Sequence, residues 1–145
     1  MKKHQGFTLI ELLVAITIIA VLTVVGAVSY APINKRSRDA RRKNDIQEVR
    51  RALELYRTEV GYYPNANSGA WGLTTTLEAS LVPTYAPSLP ADPGANAYRY
   101  IETGASGGNY YGYCVCGKLE TLTTASNGCP GVTLPAECNY SLRNP

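Results

Sequence analysis

The amino-acid sequence predicts an α+β protein in which one long N-terminal helix, half membrane-spanning and half amphipathic, packs on a small antiparallel sheet. Three observations predict this fold. Residues 7–30 are almost continuously apolar, residues 31–60 carry apolar side chains three or four positions apart, and short segments between residues 97 and 122 alternate polar and apolar side chains. A chain of 145 residues has room for one such domain and an anchor.

Residues 1–6 form a short basic leader in front of the apolar segment. An ordinary secretory signal is cut after its apolar stretch, whereas the obvious processing point here, between Gly6 and Phe7, lies before it. Cleavage there would keep residues 7–30 at the mature N-terminus. This segment can cross a hydrocarbon core about 30 Å thick, which takes about 20 residues. It must be helical, because the backbone of a lone span has no other hydrogen-bonding partners.

One carboxylate, Glu11, lies near the start of the predicted span. Ionisable residues inside membrane segments are costly and usually paired, which makes Glu11 a functional candidate. The amides at a helix N-terminus favour a carboxylate. Cleavage after Gly6 would also create an α-amine on Phe7, four residues away on the same helix face. Glu11 can therefore neutralise its own N-terminus, whereas a simple anchor needs no carboxylate.

The second half of the helix, residues 31–60, carries an apolar stripe that predicts the face packed on the sheet. The stripe consists of Ile46, Val49, Leu53, Tyr56 and Val60. Pro32 predicts a kink or local break, Gly26 is a second weak point, and Gly61 predicts the end of the helix. Opposite charges four residues apart predict two weak ion pairs, Asp39 with Lys43 and Arg50 with Glu54.

Residues 61–145 are predicted to form a globular head. A short helix is expected over residues 74–81, and strands are expected over three segments, 97–101, 110–116 and 118–122. The tail from residue 123 to 145 is predicted to be a loop held by cysteines.

Four cysteines, all in the head, predict two disulfides: Cys114, Cys116, Cys129 and Cys138. A zinc site is disfavoured, because Cys-x-Cys is not the usual ligand spacing and no histidine is near. Three pairings are possible. On a strand, Cys114 and Cys116 share one face, and a bond between them would be strained. We favour the nested pairing, Cys114 with Cys138 and Cys116 with Cys129.

The segment Gly6-Phe7-Thr-Leu-Ile-Glu11 resembles the prepilin-type signal of the type IV pilin and type II secretion pseudopilin family. The resemblance continues in four segments that are similar to the head of the major pseudopilins of type II secretion: residues 52–56, 61–64, 89–93 and 98–100. One feature departs from that pattern. Major pseudopilins often hold calcium in an acid-rich C-terminal loop, but residues 121–145 contain one acid, Glu137, so no metal or other cofactor is expected.

The resemblance implies a pilin-like fold and a structural role. A prepilin peptidase would cut between Gly6 and Phe7 and methylate the new amine. The subunit would then self-assemble into a helical filament, with the help of an inner-membrane assembly platform. Glu11 would pair with the N-terminal amine of a neighbouring subunit, an alternative to its own that the sequence leaves open. The stretch from Gly26 to Pro32 would either loosen on assembly or remain an ordinary proline bend.

Charge bears on topology. The positive-inside rule weighs two lysines in the leader against six basic residues between Lys35 and Lys43, and so favours a cytoplasmic head. The cysteines, the resemblance of the leader, and the interleaved acids Asp39 and Asp45 favour an exported head instead. We therefore expect a single-pass protein of the inner membrane whose head faces outward, and a periplasm-spanning or cell-surface filament after assembly.

The composition argues against an enzyme. His4, the only histidine, lies in the leader, so the mature chain would lack the usual base of a nucleophilic triad. Residues 104–108 are glycine-rich but lack the ending of a phosphate loop. The basic stem could bind DNA, although basic residues next to a span more often meet anionic lipid or acidic neighbours. Two alternatives remain open: a type IV pilin for adhesion, motility or DNA uptake, and a monomeric membrane-anchored binding domain.

Overall fold

The computed structural model describes residues 6–145, apart from the side chains of residues 27–29 and 31. Two compact units make up this part of the chain, residues 6–35 and 36–145. One helix, α1, spans Leu9–Val60 and contributes to both units.

The first unit consists mainly of the apolar part of α1. The 18 residues Leu9–Gly26 have a mean hydropathy of 2.7, and none of them is buried, so this helix is long and apolar enough to cross a membrane. The hydroxyls of Thr17 and Thr23 donate hydrogen bonds to the carbonyls of Val14 and Ile19. Their polar atoms are thereby satisfied inside the helix, as the interior of a bilayer requires.

Helix α1 continues without interruption through Pro32, so the local break that the proline allowed is absent from the structure. A proline removes one backbone N–H and crowds the preceding turn, but the residues around it keep the helical assignment. The predicted end of the helix is confirmed. Gly61 follows the last helical residue with a φ of 91°, and its N–H donates to the carbonyl of Arg57 at 2.8 Å, as in a glycine C-cap.

The second unit packs residues 36–60 of α1 with a four-stranded sheet. After α1 the chain forms β1 (Gly72–Leu73), a 3₁₀ turn (Thr74–Leu77), α2 (Glu78–Leu81), β2 (Arg99–Ser106), β3 (Asn109–Gly117) and β4 (Tyr140–Arg143). The strand order is β1-β2-β3-β4, and every neighbouring pair is antiparallel.

The core lies between α1 and the sheet. Ile46, Val49 and Leu53 are fully buried and belong to one cluster with sheet residues such as Tyr100 and Val115. The apolar stripe is thus confirmed at its centre. Burying each of these aliphatic side chains contributes roughly 1.5–3 kcal/mol before the cost in chain entropy.

The two predicted i,i+4 ion pairs are wrong. Asp39 pairs with Arg42 instead, and the ammonium of Lys43 lies 5.6 Å from the centre of the Tyr140 ring. Glu54 accepts hydrogen bonds from the hydroxyls of Tyr63 and Tyr113 rather than pairing with Arg50. Asp39 thus takes a different partner within the helix, whereas head side chains meet Lys43 and Glu54 in place of the predicted ones.

Two of the three predicted strands are confirmed, as parts of β2 and β3. The strand expected over residues 118–122 and the loop expected throughout residues 123–145 are wrong, since the fourth strand is β4. The carboxylate of Asp39 explains why residues 118–122 leave the sheet. It accepts the backbone N–H groups of Glu120 and Thr121, both at 2.8 Å, and so satisfies amides that a strand would have paired.

The structure pairs the cysteines as Cys114 with Cys129 and Cys116 with Cys138, so the nested pairing is wrong. The sheet register gives the reason. Cys116 lies opposite Ser141, and the chain therefore enters β4 beside Cys116. Cys138, just before β4, meets this nearer cysteine, whereas Cys114 lies about 7 Å farther along the strand.

Candidate functional site

The N-terminus of α1 is closed by a reciprocal pair of side chains. The backbone N–H and the hydroxyl of Thr8 donate to Oε2 of Glu11 at 2.8 and 2.7 Å, and the N–H of Glu11 donates to Oγ1 of Thr8 at 3.3 Å. This arrangement is a capping box, in which the residue before the helix and the third helical residue satisfy each other's amides. The spacing Thr-x-x-Glu could have predicted it, but our sequence reasoning missed Thr8.

The capping box fixes the Glu11 carboxylate through one oxygen. Oε2 receives both hydrogen bonds from Thr8, and Oε1 has no hydrogen bond among the described residues. The α-amine expected to pair with Glu11 would form only on cleavage between Gly6 and Phe7. Phe7 is exposed, and the space where a Cβ of Gly6 would lie is open.

A second polar site, within the unit of residues 36–145, joins α1 to the head. We call it the Arg42 cluster, and its members are Arg38, Asp39, Arg42, Asp92 and Glu120. The Arg42 side chain is only 1% exposed. Its Nε and Nη2 donate to the two oxygens of Asp92 at 2.7 and 3.2 Å, and its Nη1 donates to Asp39 at 2.9 Å and to Glu120 at 2.8 Å. One guanidinium therefore connects three separate segments of the chain.

The charges in the Arg42 cluster stabilise one another. Hydrogen bonds from Arg38 and then Arg42 lower the pKa of Glu120 to about 2. Burial opposes the charged form of Asp39, but the hydrogen bonds that its carboxylate accepts outweigh burial and lower its pKa to about 2. The hydrogen bonds to Asp92 raise the pKa of Arg42. Asp39, Arg42 and Glu120 are thus ionised at neutral pH. Sequence reasoning missed the cluster because its partners lie up to 82 residues apart.

The two disulfides hold the segment between β3 and β4 against β3. Trp71 adds a further contact, since its Nε1 donates to the carbonyl of Thr133 at 3.0 Å. Glu137, also in this segment, pairs with Arg99 at 3.0 Å. Across residues 6–145 no group of three or more His, Cys, Asp or Glu residues is placed to hold a metal ion.

Among the remaining residues singled out from the sequence, Gly26 lies at the end of the exposed apolar stretch, with open space where a Cβ would lie, and Pro32 lies inside α1. The structure does not bring these two near another candidate residue. The lysines of the leader and His4 fall outside the described residues.

Comparison with known proteins gives a match for each of two parts of the chain. Residues 1–27 match the prokaryotic N-terminal methylation motif, and residues 30–130 match the type II secretion system (T2SS) protein G family. The type II secretion system core protein G of Escherichia coli K12 is 31% identical over 114 residues, which cover 72% of this chain and 77% of that protein. The core protein G of Pseudomonas aeruginosa is also 31% identical, with coverages of 73% and 79%.

The match extends over most of the chain in other relatives. The core protein G of Pectobacterium carotovorum is 28% identical over 136 residues, which cover 89% of this chain and 80% of the relative. No solved structure gives a significant match. Because the protein G model covers more than half of the chain and the methylation motif covers its N-terminus, this protein belongs to the type II secretion system protein G family, the major pseudopilins.

Proposed function

We propose that this chain is the principal structural subunit of a type II secretion filament, stored in the inner membrane and assembled through the N-terminal half of α1. The observation that carries the proposal is the exposed apolar helix Leu9–Gly26. Its N-terminus is closed by the capping box of Thr8 and Glu11, and the chain continues into a head that matches the protein G family. An apolar surface of this size is unstable in water. A bilayer covers it before assembly, and the same helices of neighbouring subunits cover it afterwards.

Processing supplies the partner that Glu11 lacks. Cleavage between Gly6 and Phe7 by a prepilin peptidase creates a cationic α-amine on Phe7. N-methylation by the same enzyme leaves the positive charge of this amine in place. Oε1 of Glu11 is free of hydrogen bonds among the described residues, so the carboxylate can accept the amine of an adjacent subunit while Thr8 keeps Oε2. Two charges that are costly in hydrocarbon are then neutralised together, and this pairing sets the register between subunits.

We infer that the head lies on the exported side of the membrane. Two disulfides within a unit of 110 residues are typical of an oxidising compartment. The head coats the filament, an inner-membrane platform extracts the subunit, and the role throughout is structural rather than catalytic.

The mass of the mature N-terminus tests this proposal. We expect the chain purified from cells with an active prepilin peptidase to begin at N-methyl-Phe7, because residues 1–27 match the methylation motif. The chain from cells that lack the peptidase should retain residues 1–6. An intact Met1 in the presence of the peptidase, or a cut beyond Val28, would contradict the proposal.

A further inference from the structure

A polar cavity lies on the face of the sheet that is turned away from α1. Tyr100 and Val115 belong to the core beneath α1. Because successive residues of a strand point to opposite faces, Thr103 on β2 and Cys114 on β3 point away from that core. Arg143 lies opposite Cys114 in the register of β3 and β4, so its side chain starts on the same outer face. The cavity over these residues has a volume of about 320 Å³.

The wall of the cavity opposite the sheet is formed by residues 129–132, in the segment between β3 and β4. The disulfide between Cys114 and Cys129 ties this segment to the sheet. The N–H of Val132 donates to the carbonyl of Cys129 at 3.2 Å and closes a turn there. A covalent bond and a turn thus give the cavity a defined shape.

The polar side chains that line the cavity include donors without a partner. Arg143 is the charged side chain among the described lining residues, and it has no ion pair or hydrogen bond with any described residue. The hydroxyl of Thr103 is likewise unpaired within the described part of the chain. Oδ1 of Asn144 accepts the N–H of Tyr113 at 3.4 Å, which leaves Nδ2 of Asn144 without a described partner.

Gly112 brings two of these side chains together. A Cβ at this position would lie 2.6 Å from Oγ1 of Thr103 and 3.4 Å from Oδ1 of Asn144, so both side chains lie over the same glycine. Cys114, the residue opposite Arg143, is two positions farther along β3, or about 7 Å. The three donors therefore surround one space.

The acids near this face of the sheet do not fill the cavity. No Asp or Glu is among the described residues that line it. Glu102 is two residues from Tyr100 and shares its side of the sheet, and Glu137 is paired with Arg99. An acid that neutralises Arg143 would therefore have to come from another molecule.

We propose that this space, the Arg143 cavity, binds a carboxylate group. A guanidinium offers parallel N–H groups that match the two oxygens of a carboxylate, and Thr103 and Asn144 add two neutral donors. One cation balances the single charge of a carboxylate, whereas a phosphate group carries about −1.5 to −2. The volume lies at the lower end of the range of ligand pockets, roughly 300–1,000 Å³.

The carboxylate comes either from an acidic side chain of a partner protein or from a free organic acid. Such a site goes beyond the structural role proposed above, and it depends on neither processing nor assembly.

A titration followed by nuclear magnetic resonance tests the proposal. The full chain, labelled with nitrogen-15, is placed in micelles of the uncharged detergent dodecyl maltoside and titrated with the peptide acetyl-Gly-Glu-Gly-amide. We expect the backbone amide of Tyr113, which donates to Asn144, to shift and saturate with a dissociation constant on the order of 1–10 mM. The amides of Glu120 and Thr121, which are held by Asp39, are the internal reference and should not move. The same peptide with Gln in place of Glu should give no saturable shift.

Variants of the lining residues identify the donors. R143Q should weaken binding of the Glu peptide by about tenfold or more, because it removes the charged donor. T103V keeps the branched shape without the hydroxyl and should weaken binding by roughly threefold to tenfold. The matched control K118Q removes an exposed cation of the head that does not line the cavity, and its binding should equal that of the unchanged chain.

Unchanged binding in both R143Q and T103V, or a loss in K118Q equal to that in R143Q, would overturn the proposal. Reference amides at their original positions in R143Q would show that the head is still folded.

Two further ligands separate the possible sources of the carboxylate. Acetate that binds as strongly as the Glu peptide would assign the cavity to free organic acids, and weaker binding of acetate would assign it to an acidic segment of a partner protein. Both results support a carboxylate site. Inorganic phosphate that binds at least as strongly as the peptide would overturn it. The titration involves neither cleavage nor filaments, so its failure would leave the proposed function unaffected.

Discussion

Replacing Arg42 by methionine should lower the free energy of unfolding of the head by about 3–5 kcal/mol, the cost of leaving a buried charge without its partner. The side chains of Asp92 and Asp39 are 1% and 6% exposed, and both form ion pairs with the Arg42 guanidinium. Methionine fills a similar volume but donates no hydrogen bond. The measurement is urea unfolding followed by fluorescence of Trp71, the only tryptophan, which lies in the head.

The neighbouring arginine provides the control. Arg41 is exposed and unpaired, so R41M should change stability by no more than about 0.5 kcal/mol. R42K keeps the charge but loses the bidentate geometry, and its stability should lie between those of R42M and the unchanged chain. Equal midpoints for R42M and R41M would show that the Arg42 cluster does not hold α1 to the head.

Removing the disulfide between Cys116 and Cys138 should lower the free energy of unfolding by about 3 kcal/mol, as expected for a bridge that closes a loop of this length. The two cysteines are 22 residues apart in sequence. The effect is large relative to the total stability of a small domain, which is about 5–15 kcal/mol. The double variant C116S/C138S, unfolded in urea without reductant, provides the measurement.

Counting thiols tests the pairing itself. C116S/C138S should show no free thiol when denatured, because the bridge between Cys114 and Cys129 remains. The matched variant C114S/C138S removes one cysteine from each bridge and should expose two thiols. The opposite result in the two variants would restore the nested pairing.

The parts of the fold that could be predicted depend on local sequence patterns. The apolar segment, the stripe through Ile46, Val49 and Leu53, the end of the helix at Gly61 and the alternation in β2 and β3 each depend on side chains close together in the sequence. The capping box was equally local and could have been found from Thr8 and Glu11.

The parts that could not be predicted depend on distant residues. Asp39 binds the amides of Glu120 and Thr121, more than 80 residues away, and thereby prevents a predicted strand. The cysteine pairing follows from the register between β3 and β4, and β4 has only four residues, too few to carry a clear alternation. For the same reason the two-residue β1 left no pattern in the sequence.

The processing motif was visible in the first eleven residues, but the identity of the secretion system was carried by the head. The match to protein G over residues 30–130 separates a secretion pseudopilin from an adhesive or motile pilin. The cysteines hold the segment between β3 and β4, in the region where our sequence reasoning expected no calcium.

The yield of filaments from variants of Glu11 tests the central claim most directly. The chain is produced together with the secretion machinery, and sheared filaments are quantified by immunoblotting and electron microscopy. E11A should insert in the membrane and be cleaved after Gly6 but form no filaments. E11Q can still cap the helix through Thr8 but carries no charge, and it should fail equally. E78A, which removes an exposed carboxylate of α2, should assemble normally. Filaments of E11A and E11Q at the level of the unchanged chain would contradict the role assigned to this carboxylate.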